Sequence, residues 1–201
     1  RGNPTGRETA TSEANAERRP VDRVANAFVP VAFAYLLAGT VGTLGLHVRP
    51  LAVPGLSAAG VAHLLAAGFA ALMVFSVGFR LLPRFLVVPA PRRLVWLVLP
   101  AGATAPAILA WSLWRGAWFH AGAALQALAV VGFAVAFVWM FARSERRRVG
   151  FYGPLAGVLA GTLGVLLGLH FAVVGAGQGL VEAHVRLNVL GFLGLTIVGT
   201  A

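Results

Sequence analysis

Long apolar runs separated by short polar segments dominate this chain. Six of the runs approach or exceed the ~20 residues that a helix needs to cross a bilayer, and they cover residues 25–46, 57–79, 94–114, 118–141, 153–175 and 180–201. Runs of this length with very few charges predict transmembrane helices and not the amphipathic elements of a water-soluble domain. We therefore expect an all-α, polytopic bundle of six spans over residues 25–201.

Residues 1–24 have a different pattern. They mix Asn, Pro, Thr, Gly, Glu and Arg without apolar periodicity, so this segment lacks the apolar surface that normally orders a chain. We predict a flexible tail at residues 1–24. The chain starts with Arg1, and residue 201 interrupts an apolar run, which leads us to expect a piece of a longer protein.

Composition and charge place the chain in a membrane and orient it there. The chain is 59% hydrophobic and 11% charged, with a mean hydropathy of +0.84, so its partner is the lipid bilayer. The net charge of +10 comes from arginines, which number five, one, four, one, four and none in the successive segments outside the spans. This alternation puts the N-terminus in the cytoplasm. We expect a multi-pass protein of a prokaryotic-type plasma membrane, and no binding to nucleic acid.

The five histidines are the candidate chemistry of the chain. There is no Cys, which excludes iron–sulfur clusters and covalently attached haem, so a metal or haem would be held by His or oxygen. His47 and His120 fall at the outer ends of spans, where a solvated histidine is common. His63, His170 and His184 lie on three different spans, roughly 6 to 9 Å below the outer surface. Because ionisable groups inside a bilayer are costly, we expect these three rings to converge.

Imidazole binds haem iron and copper where no thiolate is present. His63 and His184 are therefore the candidate metal ligands, and His170 is a further candidate for the same cofactor site. Arg186 could pair with a haem propionate, or with Glu182 four residues before it. Asn188 shares a helix face with His184, and could orient that ring or bond to a neighbouring helix.

Glycines recur at helical spacing along the fifth span. They occupy positions 153, 157, 161, 164 and 168. Small residues on one face let helix backbones approach closely, so the stripe predicts tight packing within the bundle. The alternative is a flat face that accommodates a planar cofactor.

Two outside-to-inside spans also resemble each other. Residues 57–85 and 180–201 align as an internal repeat in which His63 matches Arg186 and Gly68-Phe69 matches Gly191-Phe192. Short shared patterns of this kind are typical of duplicated helical units.

The repeated pattern, a His followed by Gly-Phe and a closing Gly, resembles the membrane subunit I of haem-copper oxidases and nitric oxide reductases, and the haem- and copper-containing NnrS family. The matching residues are His63, Gly68, Phe69, Gly78, Arg80, Pro83 and Arg84 in the first copy, and His184, Leu187, Asn188, Leu190, Gly191, Phe192 and Gly199 in the second. The resemblance implies haem, with copper as the other metal, in an oxidoreductase subunit of respiratory electron transfer or nitric oxide metabolism. It also implies a redox partner or other membrane subunits.

The chain departs from that family at the site itself. It has His184-x-Arg186 where the oxidase-like motif has His-x-His, and it contains neither His-Pro-Glu-Val-Tyr nor a His-His pair. The resemblance therefore implies haem binding but assigns no catalytic residue. The competing interpretation is a membrane transporter, channel or structural subunit without a cofactor, although the scarcity of intramembrane carboxylates disfavours cation coupling.

Overall fold

The chain forms a bundle of six membrane-spanning helices. The structure is a computed structural model that describes residues 4–48, 57–145 and 149–198, and no strand occurs in these ranges. The helices long and apolar enough to cross a membrane are Pro20–His47, Ala58–Leu86, Arg92–Arg115, Phe119–Arg143, Val149–Val174 and Gly179–Val198. The prediction of an all-α fold with six spans is confirmed. The chain belongs to the class of multi-pass helical membrane proteins.

Four of the spans are regular α-helices, and two contain a π-helical segment. The regular helices are α1 (Pro4–His47), α3 (Arg92–Arg115), α4 (Phe119–Arg143) and α5 (Tyr152–Val174), the last preceded by the 3₁₀ turn Val149–Phe151. Helix α2 consists of Ala58–His63, the π segment Leu64–Ala71 and Leu72–Leu86. Helix α6 consists of Gln178–Arg186, the π segment Leu187–Gly194 and Leu195–Val198.

Helix α1 extends into the segment for which the sequence predicted a flexible tail. It begins at Pro4, and residues 7–19 are rich in Ala, Glu and Arg, which are strong helix formers. The membrane-spanning part of α1 supplies the nucleus, so residues added before it gain hydrogen bonds without a new nucleation cost, except where Pro20 offers no N–H. Apolar periodicity, whose absence prompted the tail prediction, is required for packing but not for this extension.

A cluster of phenylalanines joins α2, α4 and α6 in the interior. Phe75 of α2 lies 5.0 Å from Phe133 of α4 and 6.0 Å from Phe192 of α6, measured between ring centroids. Phe79 meets Phe133 edge to face at 5.2 Å. All four rings are buried. Helix α3 closes this core from another side, since a Cβ added at its Gly102 would lie 3.0 Å from the Phe75 ring.

The two π segments occupy the same place in the internal repeat. They begin 123 positions apart, at Leu64 and Leu187, which is also the separation of His63 and Arg186. Each is eight residues long and carries the Gly-Phe pair of the motif. A π-helical turn holds an extra residue and rotates the side chains before it relative to those after it. In both α2 and α6 the helix before the π segment is therefore rotated in a similar way relative to the helix after it. Gly199, at the end of the second copy, lies outside the described residues.

The preceding helices extend the repeat to a helix pair. Residues 37–40 of α1 and 159–162 of α5 both read Leu-Ala-Gly-Thr, and both helices contain Gly-Leu-His near the outer end, at 45–47 and 168–170. In each pair the repeated glycine meets the π segment of the next helix, because a Cβ at Gly39 would touch Leu65 and one at Gly161 would touch Phe192. Pairs α1–α2 and α5–α6 thus share short sequence patterns and helix type, and in both a glycine packs on the π segment, although on non-equivalent residues of it.

Candidate functional site

Two of the three intramembrane histidines meet between α2 and α6. The ring of His63, at the end of the first piece of α2, lies 6.5 Å from the ring of His184 between centroids, and the two planes are inclined by 27°. Both side chains are half-buried. The six-span topology places this pair toward the end of the bundle that the arginine distribution predicts to be extracytoplasmic.

Each imidazole is held by a backbone carbonyl through the same nitrogen. His63 Nδ1 lies 2.8 Å from the oxygen of Ala59, one turn earlier in α2, and His184 Nδ1 lies 2.7 Å from the oxygen of Gly164 in α5. A carbonyl oxygen only accepts hydrogen bonds, so Nδ1 carries the proton in both rings. In the neutral tautomer each Nε2 then keeps its lone pair. This is the arrangement that second-shell carbonyls impose on metal-binding histidines.

The two rings are close enough for both imidazoles to bind one metal ion if their Nε2 atoms face each other. Two metal–nitrogen bonds of about 2 Å each, together with half the width of each ring, approach the observed centroid separation of 6.5 Å. The donor set contains two imidazoles and no thiolate. Among the described residues, no group of three or more His, Cys, Asp or Glu is placed to hold a metal ion. Two imidazoles are fewer ligands than the four of a closed zinc site.

The glycine stripe of α5 receives side chains of α6 and leaves no flat slot. A Cβ added at Gly168 would meet His184, one at Gly164 would meet Asn188, and one at Gly161 would meet Phe192. One turn further, Gly157 faces Thr196. These α6 residues recur every four positions, so α6 places one side chain on each of these four glycines of the antiparallel α5. The stripe therefore serves close packing in this structure, and it also fixes the height of His184.

Asn188 supports the site through the backbone and not through the imidazole nitrogen. Its Nδ2 donates to the carbonyl oxygen of His184 at 2.8 Å, whereas the distance from Nδ2 to His184 Nδ1 is 3.4 Å. Because Nδ1 carries a proton, it cannot accept from Asn188. The orienting partner of the His184 ring is thus the Gly164 carbonyl.

His170 lies apart from the pair. Its side chain is exposed on α5, and its ring contacts that of Phe171 at 6.4 Å between centroids. Phe171 itself packs 5.6 Å from the His184 ring, so this aromatic residue borders the site at the place where His170 was expected. Successive side chains point about 100° apart around a helix. Phe171, which follows His170, therefore faces α6 while His170 does not.

The remaining candidate residues lie at the surface. Arg186 Nη2 is 2.5 Å from Glu182 Oε1 in an exposed pair one turn apart. Of the two interpretations of Arg186, the structure contains the ion pair with Glu182. His47 and His120 are both exposed, as expected for interfacial residues at the ends of spans.

An apolar cavity of about 720 Å³ lies deeper between α2, α4, α5 and α6. Its outermost α2 residue, Phe69, follows His63 by six positions, or about 9 Å along the helix axis. The α6 residues in its wall are Thr196 and Ile197, three turns below His184. The cavity and the histidine pair thus lie at different levels between the same two helices.

The groups that hold and border the rings of His63 and His184 were not predicted from the sequence. The carbonyl oxygens of Ala59 and Gly164 carry no signal in a sequence pattern, because every residue has one. The glycine stripe was the available signal for Gly164, since a helix face that admits another helix closely also exposes its carbonyls to that helix.

Comparison of the chain with protein-family models, curated proteins and solved structures found no significant match.

Proposed function

We propose that this membrane protein binds a redox-active metal centre, haem in the first place, through Nε2 of His63 and His184. The observation that carries the proposal is the pairing of two imidazoles from different spans. In each, Nδ1 donates to a backbone carbonyl, so Nε2 keeps the lone pair that can bind a metal. Membrane proteins rarely bury titratable groups without a function for them. Two neutral rings fixed in this tautomer are preorganised for metal ligation.

Haem iron suits this donor set, and copper is the alternative. Haem iron needs only axial ligands from the protein, so two histidines would complete its coordination, and when bound it would supply one-electron transfer. The porphyrin would have to lie outside the glycine stripe of α5, which side chains of α6 fill. Gly164 and Gly168 would fix the depth of the His184 ring, and Phe171 would shield one side of that ring from lipid. Copper also accepts imidazole ligands, and two histidines on adjacent helices would suit it without a macrocycle.

The setting that we propose is an oxidoreductase subunit in respiratory electron transfer or nitric oxide metabolism. The support is the resemblance of the repeated His and Gly-Phe pattern to haem-copper oxidases, nitric oxide reductases and the NnrS family. The membrane that we propose is a prokaryotic-type plasma membrane, and the arginine distribution supports a site toward its extracytoplasmic side. A redox partner or further membrane subunits would complete such a system, because one site alone only relays electrons.

The competing function is a cofactor-free transporter, channel or structural subunit. One observation favours it: His184 is one of four α6 side chains seated on the α5 glycines, so its position also follows from helix packing. In that case the imidazole and its bond to Gly164 would serve as an interhelical hydrogen bond.

The visible spectrum of the purified protein separates these functions. We expect a Soret band that shifts on addition of dithionite, iron bound in proportion to protein, and loss of the band in both His63→Ala and His184→Ala. His120→Ala is the matched control, since this exposed histidine lies at the same end of the bundle. His170→Ala should also keep the band. Stoichiometric copper without a Soret band would identify the copper site, whereas a colourless and metal-free protein would overturn the proposal.

A further inference from the structure

A second pocket, independent of the histidine pair, lies at the arginine-rich end of the bundle. It has a volume of about 330 Å³ and is enclosed by α1, the end of α2 and the start of α3. Three arginines and one aspartate line it, Arg80, Arg84, Arg92 and Asp22, and its other walls are apolar. By the arginine distribution this end faces the cytoplasm, so the pocket lies where the bilayer surface meets water.

The charges of the pocket do not balance. Arg84 Nη2 pairs with Asp22 Oδ2 at 2.7 Å, which neutralises one arginine. Arg80 Nη1 donates to the neutral side-chain oxygen of Asn26 at 3.1 Å, so its charge remains. Arg92 has no ion-pair or hydrogen-bond partner for its side chain within the described residues. Counting only the side chains that the structure describes, two positive charges are therefore uncompensated in a space of about 330 Å³.

The turn between α2 and α3 borders the pocket, since Val87, Pro89 and Ala90 are also in its wall. Val87 adopts a left-handed conformation, with φ of 57°, and ends α2. The hydroxyl of Ser144 donates to the carbonyl of Leu86 at 2.8 Å and holds this turn against the end of α4. Helix α3 then begins at Arg92 after Pro91, and no side chain caps its first turn. The unpaired N–H groups at a helix start favour an anion.

We propose that this pocket binds a phosphate group, with Arg80 and Arg92 as its charged ligands and Arg84 held in place by Asp22. Arginine presents several N–H donors in a planar fork that matches phosphate oxygens. The apolar walls at the membrane boundary suit the phosphodiester of an anionic lipid headgroup, and inorganic phosphate has the same oxyanion chemistry. This proposal does not depend on metal binding by His63 and His184.

The test compares phosphate sources on the full chain in neutral detergent. Thermal unfolding is followed during titration with phosphatidylglycerol, with phosphatidylcholine and with inorganic phosphate. We expect phosphatidylglycerol to raise the unfolding temperature at lower concentration than phosphatidylcholine does. A response to inorganic phosphate alone would support the pocket and assign it to a soluble anion. The absence of any preference for the anionic lipid or for phosphate would overturn the proposal.

Matched variants locate the effect. Loss of one charged hydrogen-bonding group is expected to weaken binding about tenfold, so Arg92→Gln and Arg80→Gln should each need about tenfold more ligand for the same shift. Arg92 is exposed, and its replacement should leave the fold intact. The control is Arg115→Gln at the other end of α3, where the guanidinium stacks 4.4 Å from the Trp114 ring centroid. Equal weakening by Arg115→Gln would show general charge attraction and refute a defined pocket.

Discussion

Replacement of Gly161 by alanine tests the packing that positions α6. An added Cβ would lie 2.8 Å from Phe192 Cγ and 2.9 Å from Phe192 Cβ, whereas ordinary contact begins at 3.4 Å. One of the helices must therefore move by about 0.6 Å. Phe192 cannot retreat easily, since its side chain is 2% exposed and packs against the fully buried Phe75. The strain thus falls on the α5–α6 contact as a whole.

The expected magnitude follows from two opposing effects. Over-packing a filled interior costs about 1 to 3 kcal/mol, and alanine returns at most about 1 kcal/mol by replacing glycine within a helix. Because Phe192 is confined, we expect a net loss of about 1 to 2 kcal/mol in the free energy of unfolding. For a chain of this size that loss lowers the midpoint temperature by roughly 2 to 8 °C.

Thermal unfolding in detergent, monitored by circular dichroism, measures this change. The matched control is Gly179→Ala in α6, where an added Cβ meets nothing within 4 Å. Its midpoint should stay constant or rise slightly. An unchanged midpoint in Gly161→Ala, or an equal fall in Gly179→Ala, would show that α5 and α6 do not pack as described.

Two further substitutions test the contacts of α1. Tyr35→Phe removes the hydroxyl that donates to the Ala103 carbonyl of α3. We expect the free energy of unfolding to fall by about 0.6 kcal/mol, the average for interhelical hydrogen bonds in a membrane. A fall above about 2 kcal/mol would contradict this expectation. Asp22→Asn removes the ion pair with Arg84, whose side chain is 47% exposed. The expected loss is at most about 1 kcal/mol, and it should shrink as salt rises from low to high concentration. A salt-independent loss would show that Asp22 acts through packing instead.

The spans could be predicted because their signal is local. A bilayer requires a run of apolar residues long enough to cross it, and such runs are visible without any knowledge of neighbours. The π segments of α2 and α6 could not be predicted in this way. No proline marks the regions around Leu64 and Leu187, and the extra residue in each turn depends on contacts with α1 and α5.

The sequence predicts how deep the histidines of the candidate site lie in the membrane, but not which way their side chains point. Depth follows from the position along a span, so His63, His170 and His184 could be placed at one level. Direction depends on which face of each helix meets its neighbours, and for α5 that face is the glycine stripe. His170 lies outside the stripe and is exposed, whereas Gly164 and Gly168 lie within it and meet α6.

The internal repeat accounts for the polar residues at the outer end of α6. The position equivalent to His63 is Arg186, which is 68% exposed and paired with Glu182, so an imidazole at that position would point away from α2. His184 precedes it by two residues, and two residues turn a helix by about 200°. That rotation brings the ring onto Gly168 and toward His63. The two imidazoles therefore meet because they occupy non-equivalent positions of two helix pairs that share short sequence patterns, while the position equivalent to His63 holds the exposed Arg186.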